Sequence, residues 1–271
     1  RKVKSLGLWL ACLTILMARP SICIGFDSTI APALIAKAIR RSLRVVAYHL
    51  EYYEPRLGMR GLWIRFLRRF ERYADLVVDV DSTRLALRQK WTPGISDSVV
   101  IRNLAQKNVF AVSQRRSCSP VRFIYTGGVH SRYCIQRLIV LMHASHLDIS
   151  LDLYCHGEES TISQLVTTIE KLSAGDRFRM NPPVSREDLA GLLAAYDVGV
   201  VWYPYQGLTS GSGRKVVEYC APNKAGEYIA SGLALFTTNN PSLTYIEADG
   251  IGVCCDPGSD DSVLEKLRLL C

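Results

Sequence analysis

APNKAGEYIASG, residues 221–232, followed by LALFTT, residues 233–238, is the stretch on which the reading of this chain turns. Pro222 suits a first helical position, where its missing N–H costs nothing and its ring pre-sets φ. Glu227, Tyr228 and Ala230 carry the helix on, and Ser231-Gly232 stops it. Upstream lie an apolar strand at 197–203 and a glycine-rich loop at 207–213. Strand, loop, helix and strand in that order build the ligand crevice of an α/β sheet. The helix tip offers free N–H groups to an anion such as a diphosphate. Glu227, about one turn inside, has two acceptor oxygens, the chemistry that grips a pair of ribose hydroxyls. The plainer reading is a surface helix in which Lys224 and Glu227 pair.

Outward from this stretch the chain alternates between strands and helices. Strands are expected at 21–26, 44–49, 76–80 and 98–101, then at 122–126, 149–155, 178–180, 198–203, 233–237 and 252–255. Helices fall at 31–41, 59–74 and 82–90 and between most of the later strands. Near-continuous β-branched strands alternating with helices argue for an α/β protein with parallel sheets covered on both faces. Residues 102–120 lose periodicity and carry Asn, Gln, Ser and Pro, which places the linker there. The expected division is 1–119 and 120–271.

The 271 residues are 48% apolar and 21% charged, which gives room for two globular cores. The net charge of +8 divides unevenly: residues 1–120 hold 21 Lys/Arg against 8 Asp/Glu, and the remainder 12 against 17. The basic half lacks a reader motif or stacking platform, so no nucleic-acid partner is expected. An anionic membrane surface or a lipid phosphate suits it better. On a helix over 59–73, Leu62, Trp63, Phe66, Leu67, Phe70 and Tyr73 share one face, and Arg65, Arg68, Arg69 and Arg72 gather opposite. The apolar face is expected to pack inward while the arginines meet anionic headgroups.

Nine cysteines without a C-x-x-C pair suit a reducing compartment, hence a cytoplasmic protein peripheral to the membrane. Cys254 and Cys255 are expected on opposite faces of one strand. The opening RKVKSLGLWLACLTILM imitates a signal peptide. It has no small-residue cleavage site and is too short to span a bilayer, so it is read as a helix leading into the first strand.

Other residues have chemistry to offer. Thr126-Gly127-Gly128 is expected to end a strand and precede a helix, where glycine lets backbone approach phosphate. Arg132, near the start of that helix, is within reach of a diphosphate. His49 closes the strand at 44–49 and Asp27 follows the one at 21–26. Side chains at the carboxyl ends of parallel strands project toward a crevice, and Glu51 is the next candidate. Asp79-Val80-Asp81 resembles a metal-binding pair, but Asp81-Ser82-Thr83 reads better as a helix N-cap. The 207–217 loop fits no P-loop frame.

PNKAGEYIASG before an apolar strand, Gly157-Glu158 after one, and the segments at 184–201 and 246–267 resemble, in their order, the retaining GT-B glycosyltransferases of family 4 type. The resemblance implies two Rossmann-like domains, the first acceptor-side and truncated, the second binding a nucleotide-sugar. It implies transfer of a sugar with retention to a saccharide or lipid-linked acceptor in surface polysaccharide or glycolipid synthesis, without a metal or other cofactor. The donor would meet Gly127, Gly128, Val184, Asn223, Lys224 and Glu227. His49, Arg132, Lys224 and Glu227 would serve the reaction, with Asp27, His49 and Glu51 on the acceptor side. Two family charges are absent: Tyr133 stands at a usual lysine, and Tyr219 at the first of two paired acids, with Glu218 one off register. The opening strands and the closing helix of the family are also missing, so the chain is expected to be part of a longer one. Alternatives are a nucleotide-sugar epimerase of the same fold and a nucleotide-sugar-binding homologue with weak catalysis.

Overall fold

The computed structural model describes residues 2–52, 69–105, 109–110, 119–205 and 212–271. They form two compact units, Arg1–Arg102 and Asn103–Cys271.

The first unit holds a parallel sheet in sequential order, β1 (Ile22–Phe26), β2 (Arg44–His49), β3 (Leu76–Asp79) and β4 (Ser98–Val100). The helices α1 (Lys2–Ala18), α2 (Ile30–Ile39) and α3 (Ser82–Trp91) accompany it among the described residues. The opening apolar run is therefore a helix, and its Cys12, Ile15 and Leu16 pack with Ala33, Val45, Ala47 and Val77 in one core. Gly25 is where β1 meets α2 closely, since a β-carbon there would stand 2.7 Å from the Ile30 α-carbon. Period-two alternation turns Ile22, Ile24 and Phe26 the other way, and all three are exposed. Coverage of both faces, expected from the apolar run, does not hold for β1.

Most of the basic helix expected at 59–73, with Arg65 and Arg68, lies outside the described residues. Arg69 and Arg72 are exposed, as that face requires. Tyr73 departs from its expected inward position: it is 50% exposed, and the Arg72 guanidinium sits 4.9 Å over its ring. Among the described residues no helix is long and apolar enough to cross a membrane.

The second unit is a six-stranded parallel sheet: β5 (Val121–Val129), β6 (Ile149–Gly157), β7 (Phe178–Asn181), β8 (Val198–Val201), β9 (Ala234–Thr238) and β10 (Gly252–Cys255). Its helices are α4 (Ile135–Ala144), α5 (Glu159–Lys171), α6 (Arg186–Leu193), α7 (Ser212–Glu218), α8 (Asn223–Ala230), α9 (Tyr245–Ala248) and α10 (Asp260–Arg268). Alternation along the strands feeds two cores. Phe123, Tyr125, Val198, Val200 and Cys255 enter one, and Ile124, Val201, Leu235 and Cys254 the other. The two adjacent cysteines thus face apart, as expected. The spatial order is β10-β9-β8-β5-β6-β7, so chain progression reverses between β5 and β8. In open α/β sheets ligands bind outside the carboxyl ends of the strands at such a reversal.

Candidate functional site

Helix α8 reaches this reversal point. Its boundaries follow from the punctuation in the sequence, with a shift of one residue. Pro222 is the N-cap (φ −72°, ψ 133°) and Asn223, exposed, opens the helix. At the other end Gly232 takes φ +74°, and Leu233 N–H donates to the Tyr228 carbonyl at 3.0 Å, a left-handed glycine stop. Gly226 packs against backbone: a β-carbon there would lie 2.3 Å from the Asn103 carbonyl oxygen. Asn103 Nδ2 in turn donates to the Ala221 carbonyl at 3.2 Å, so the segment following the first unit clasps α8 at its start.

Lys224 and Tyr228, one turn apart, share the helix face turned to β5. The Tyr228 hydroxyl accepts from Thr126 N–H at 2.9 Å and bonds Thr126 Oγ1 at 2.9 Å. This pins α8 to the strand just before Gly127-Gly128. Lys224, only 9% exposed, extends over the Tyr125 ring, its Nζ 3.9 Å from that centroid and 5.4 Å from the centroid of Tyr203, which follows β8. Among the described residues Nζ has no hydrogen-bond partner. It also sits 3.6 Å from where a β-carbon on Gly127 would stand, and Gly127 has φ +97°. Only glycine both adopts that backbone and leaves the ammonium uncovered on that side.

Burial pulls the Lys224 amine down to about 7, while Cys220, Cys155 and Glu227 act weakly in the opposite sense. The ring faces attract the cation by about 2 kcal/mol when desolvated. Removing an ion from water costs several kcal/mol even after relaxation, so burial wins. Glu227 is half-buried, and burial raises its carboxyl above the ordinary value against the pull of Arg186 and Lys224. Arg186 opens α6, whose N-cap Ser185 accepts from Asp188 N–H at 3.1 Å. Val184, just before that cap, is partly buried against the second core. Arg186 was not singled out in the sequence, because a solvated first-turn arginine leaves no pattern.

The expectation that Gly127-Gly128 ends the strand before a helix is corrected. The β5–β6 ladder runs on through both glycines to Val129↔Gly157, and a 3₁₀ turn, Ser131–Tyr133, separates it from α4. Parallel pairing over nine residues outweighs the turn preference of two glycines. Arg132 consequently lies in that turn, exposed, with its guanidinium 5.2 Å over the Tyr133 ring. Tyr133 is buried edge-on against Tyr203, 5.1 Å between centroids, and its carbonyl accepts from Trp202 Nε1 at 3.0 Å. Arg214 has local company in Glu218, 4.0 Å away, and Lys215 lies 5.9 Å from the Tyr219 ring. The buried amine at the reversal point is therefore supplied by α8.

Thr238, which ends β9, and Asn240, just after it, hold the other wall. Thr238 Oγ1 accepts from Tyr203 N–H at 3.2 Å. Asn240, fully buried, donates to the carbonyls of Tyr203 at 3.0 Å and Val217 at 2.8 Å. The segment carrying Tyr203 and the end of α7 are thus fixed to one side chain.

In the first unit His49, Asp27 and Glu51 do come to the carboxyl edge of β1 and β2, and two are committed there. Asp27, at φ +46°, accepts from the backbone N–H of Leu50 at 3.1 Å and Glu51 at 3.2 Å. His49, 4% exposed, stands 3.6 Å from Glu71, which pairs with Arg88 at 3.3 Å; Arg88 Nε donates to Asp79 at 3.0 Å. Burial raises the Asp79 carboxyl despite Arg88. Asp81 caps α3 through the N–H groups of Thr83 and Arg84, as its spacing predicts. Glu51 is exposed.

No protein-family model matches the sequence, and no curated protein matches it. Solved structures do match. The lipopolysaccharide outer core galactosyltransferase WaaB, apo form, aligns at 14% identity and TM-score 0.65, covering 97% of this chain and 69% of WaaB. HepE of Anabaena, in complex with UDP, aligns at 13% identity and TM-score 0.71, with 97% and 71% covered. A putative UDP-N-acetylglucosamine 2-epimerase of Listeria monocytogenes aligns at 11% identity and TM-score 0.60, with 98% and 70% covered. At these identities the likeness is one of fold. The chain consists of two Rossmann-like units and has the GT-B fold.

Proposed function

We propose that the chain is a glycosyltransferase whose second unit binds a nucleotide-sugar. The observation that carries this is the Lys224 amine, buried at the β5–β8 reversal without a hydrogen-bond partner among the described residues and aimed at Gly127. A protein retains such a buried basic group where an anion completes it. The diphosphate would lie along Gly127-Gly128 against Lys224, with Arg132 at the outer rim. Glu227, one residue before Tyr228, would accept the ribose hydroxyls, and Val184 with Arg186 beside it would flank the nucleoside. As the bond to the sugar breaks, negative charge develops on the leaving diphosphate, and a preorganised cation in a dry site stabilises it most.

The finer assignment rests on the sequence resemblance: retention, a saccharide or lipid-linked acceptor, polysaccharide or glycolipid synthesis, chemistry without a metal, and a cytoplasmic site beside an anionic membrane met by Arg69 and Arg72. His49 is read as holding the acceptor edge of the first unit in shape through Glu71. The epimerase reading has the fold of the Listeria protein in its favour. A thermal-shift and product panel of UDP-, GDP- and ADP-sugars separates these. One base should stabilise the protein, Glu227→Ala should abolish most of that shift, and transfer should need an acceptor. Turnover of donor alone favours the epimerase, and no shift with any base overturns the site.

A further inference from the structure

We propose that a nucleotide-sugar binds to this site together with a proton, which is taken up by Lys224. The inference rests on the donor-site reading above and concerns how that site is regulated. Around Nζ stand the rings of Tyr125 from β5 and Tyr203 after β8. The thiols of Cys155 on β6 and Cys220 after α7 lie close enough to act on it, as does the Glu227 carboxylate. Tyr228 from the same helix is bonded to Thr126. His156, opposite Gly128 in the β5–β6 ladder, is exposed.

None of these groups hydrogen-bonds the amine, and the carboxylate is half-buried. Burial therefore favours the neutral amine in the ligand-free protein above neutral pH. A diphosphate brought to Gly127 reverses this, because an anion within ~4–6 Å favours the charged form. The proton comes from solvent and ends on the Nζ lone pair. The sugar-linked diphosphate has no ionisation of its own near neutrality, so the uptake belongs to the protein.

Calorimetry with UDP-glucose, ADP-glucose and GDP-mannose, each in two buffers of different ionisation enthalpy at pH 7.5 and 8.5, tests this. The expected result is uptake of up to one proton with whichever donor binds, and affinity about tenfold weaker at the higher pH. Lys224→Arg, which stays charged, should bind with a flat pH profile and no uptake. In the wild-type protein the ¹³Cε resonance of Lys224 should titrate near neutrality when free and stay in its charged position when saturated. That measurement decides the matter even if the variant does not fold. Binding without uptake, or uptake undiminished in Lys224→Arg, overturns the proposal and leaves the donor site standing. No binding by any of the three overturns both.

Discussion

Tyr228 lies on the bare α-carbon of Gly199: a β-carbon there would stand 2.2 Å from Tyr228 Cδ2 and 2.4 Å from Cγ. Gly199 is in β8 and Tyr228 in α8, and the contact lets the helix approach the sheet closely enough for its hydroxyl to reach Thr126. The ring cannot retreat without breaking that bond. Gly199→Ala should therefore lower stability by at least the roughly 1–3 kcal/mol of an overpacked core. Tyr228→Phe keeps the packing and leaves the Thr126 N–H unpaired, at about 1–3 kcal/mol. Urea denaturation measures both. A Gly199→Ala protein as stable as the parent would mean that α8 is not held by this contact.

The depressed lysine makes stability depend on pH in a direction that can be worked out. Between about 7, where burial places Lys224 in the folded chain, and the ordinary lysine value, the unfolded chain holds a proton that the folded one lacks. Stability rises with pH wherever the unfolded state binds more protons. Relative to Lys224→Met, the ligand-free protein should gain roughly 1 kcal/mol per pH unit between pH 7.5 and 8.5. Below neutrality the gap between the two proteins should be flat. Chemical denaturation of both proteins at matched pH gives the difference directly. A gap independent of pH throughout would show the amine to be charged in the folded state.

Much of this arrangement is legible in the sequence, and the rest is illegible for physical reasons. Apolar runs with turn residues between them mark the ten strands of the described residues, and Pro222 and Gly232 bracket α8, because periodicity and backbone punctuation are local. The extension of β5 through Gly127-Gly128 is not local, since it depends on the β6 residues that pair with it. Neither is the place of Lys224. Its contact with Tyr125 joins positions far apart in the chain, and a lysine beside a glutamate reads equally well as a surface pair. Glu71 was passed over for a related reason. A charge on a helix rich in arginine reads as solvated, whereas Glu71 is 4% exposed and ties His49 to Arg88.

That buried chain of charges, His49–Glu71–Arg88–Asp79, makes a last prediction. Arg88 is 7% exposed and is held by two acids, Glu71 at 3.3 Å and Asp79 at 3.0 Å. Replacing the charged pair wholesale by apolar groups can be neutral, but removing one member strands the others away from water, at about 3–5 kcal/mol. Glu71→Gln leaves the volume nearly unchanged, so packing contributes little to the effect. Glu51→Gln, at an exposed carboxylate on the same edge, should stay within roughly 0.5 kcal/mol of the parent. Equilibrium unfolding of the two variants separates the outcomes. If both lose equally little, the four residues do not act as a unit, and His49 regains a claim to a role in the reaction beyond holding the edge of the sheet.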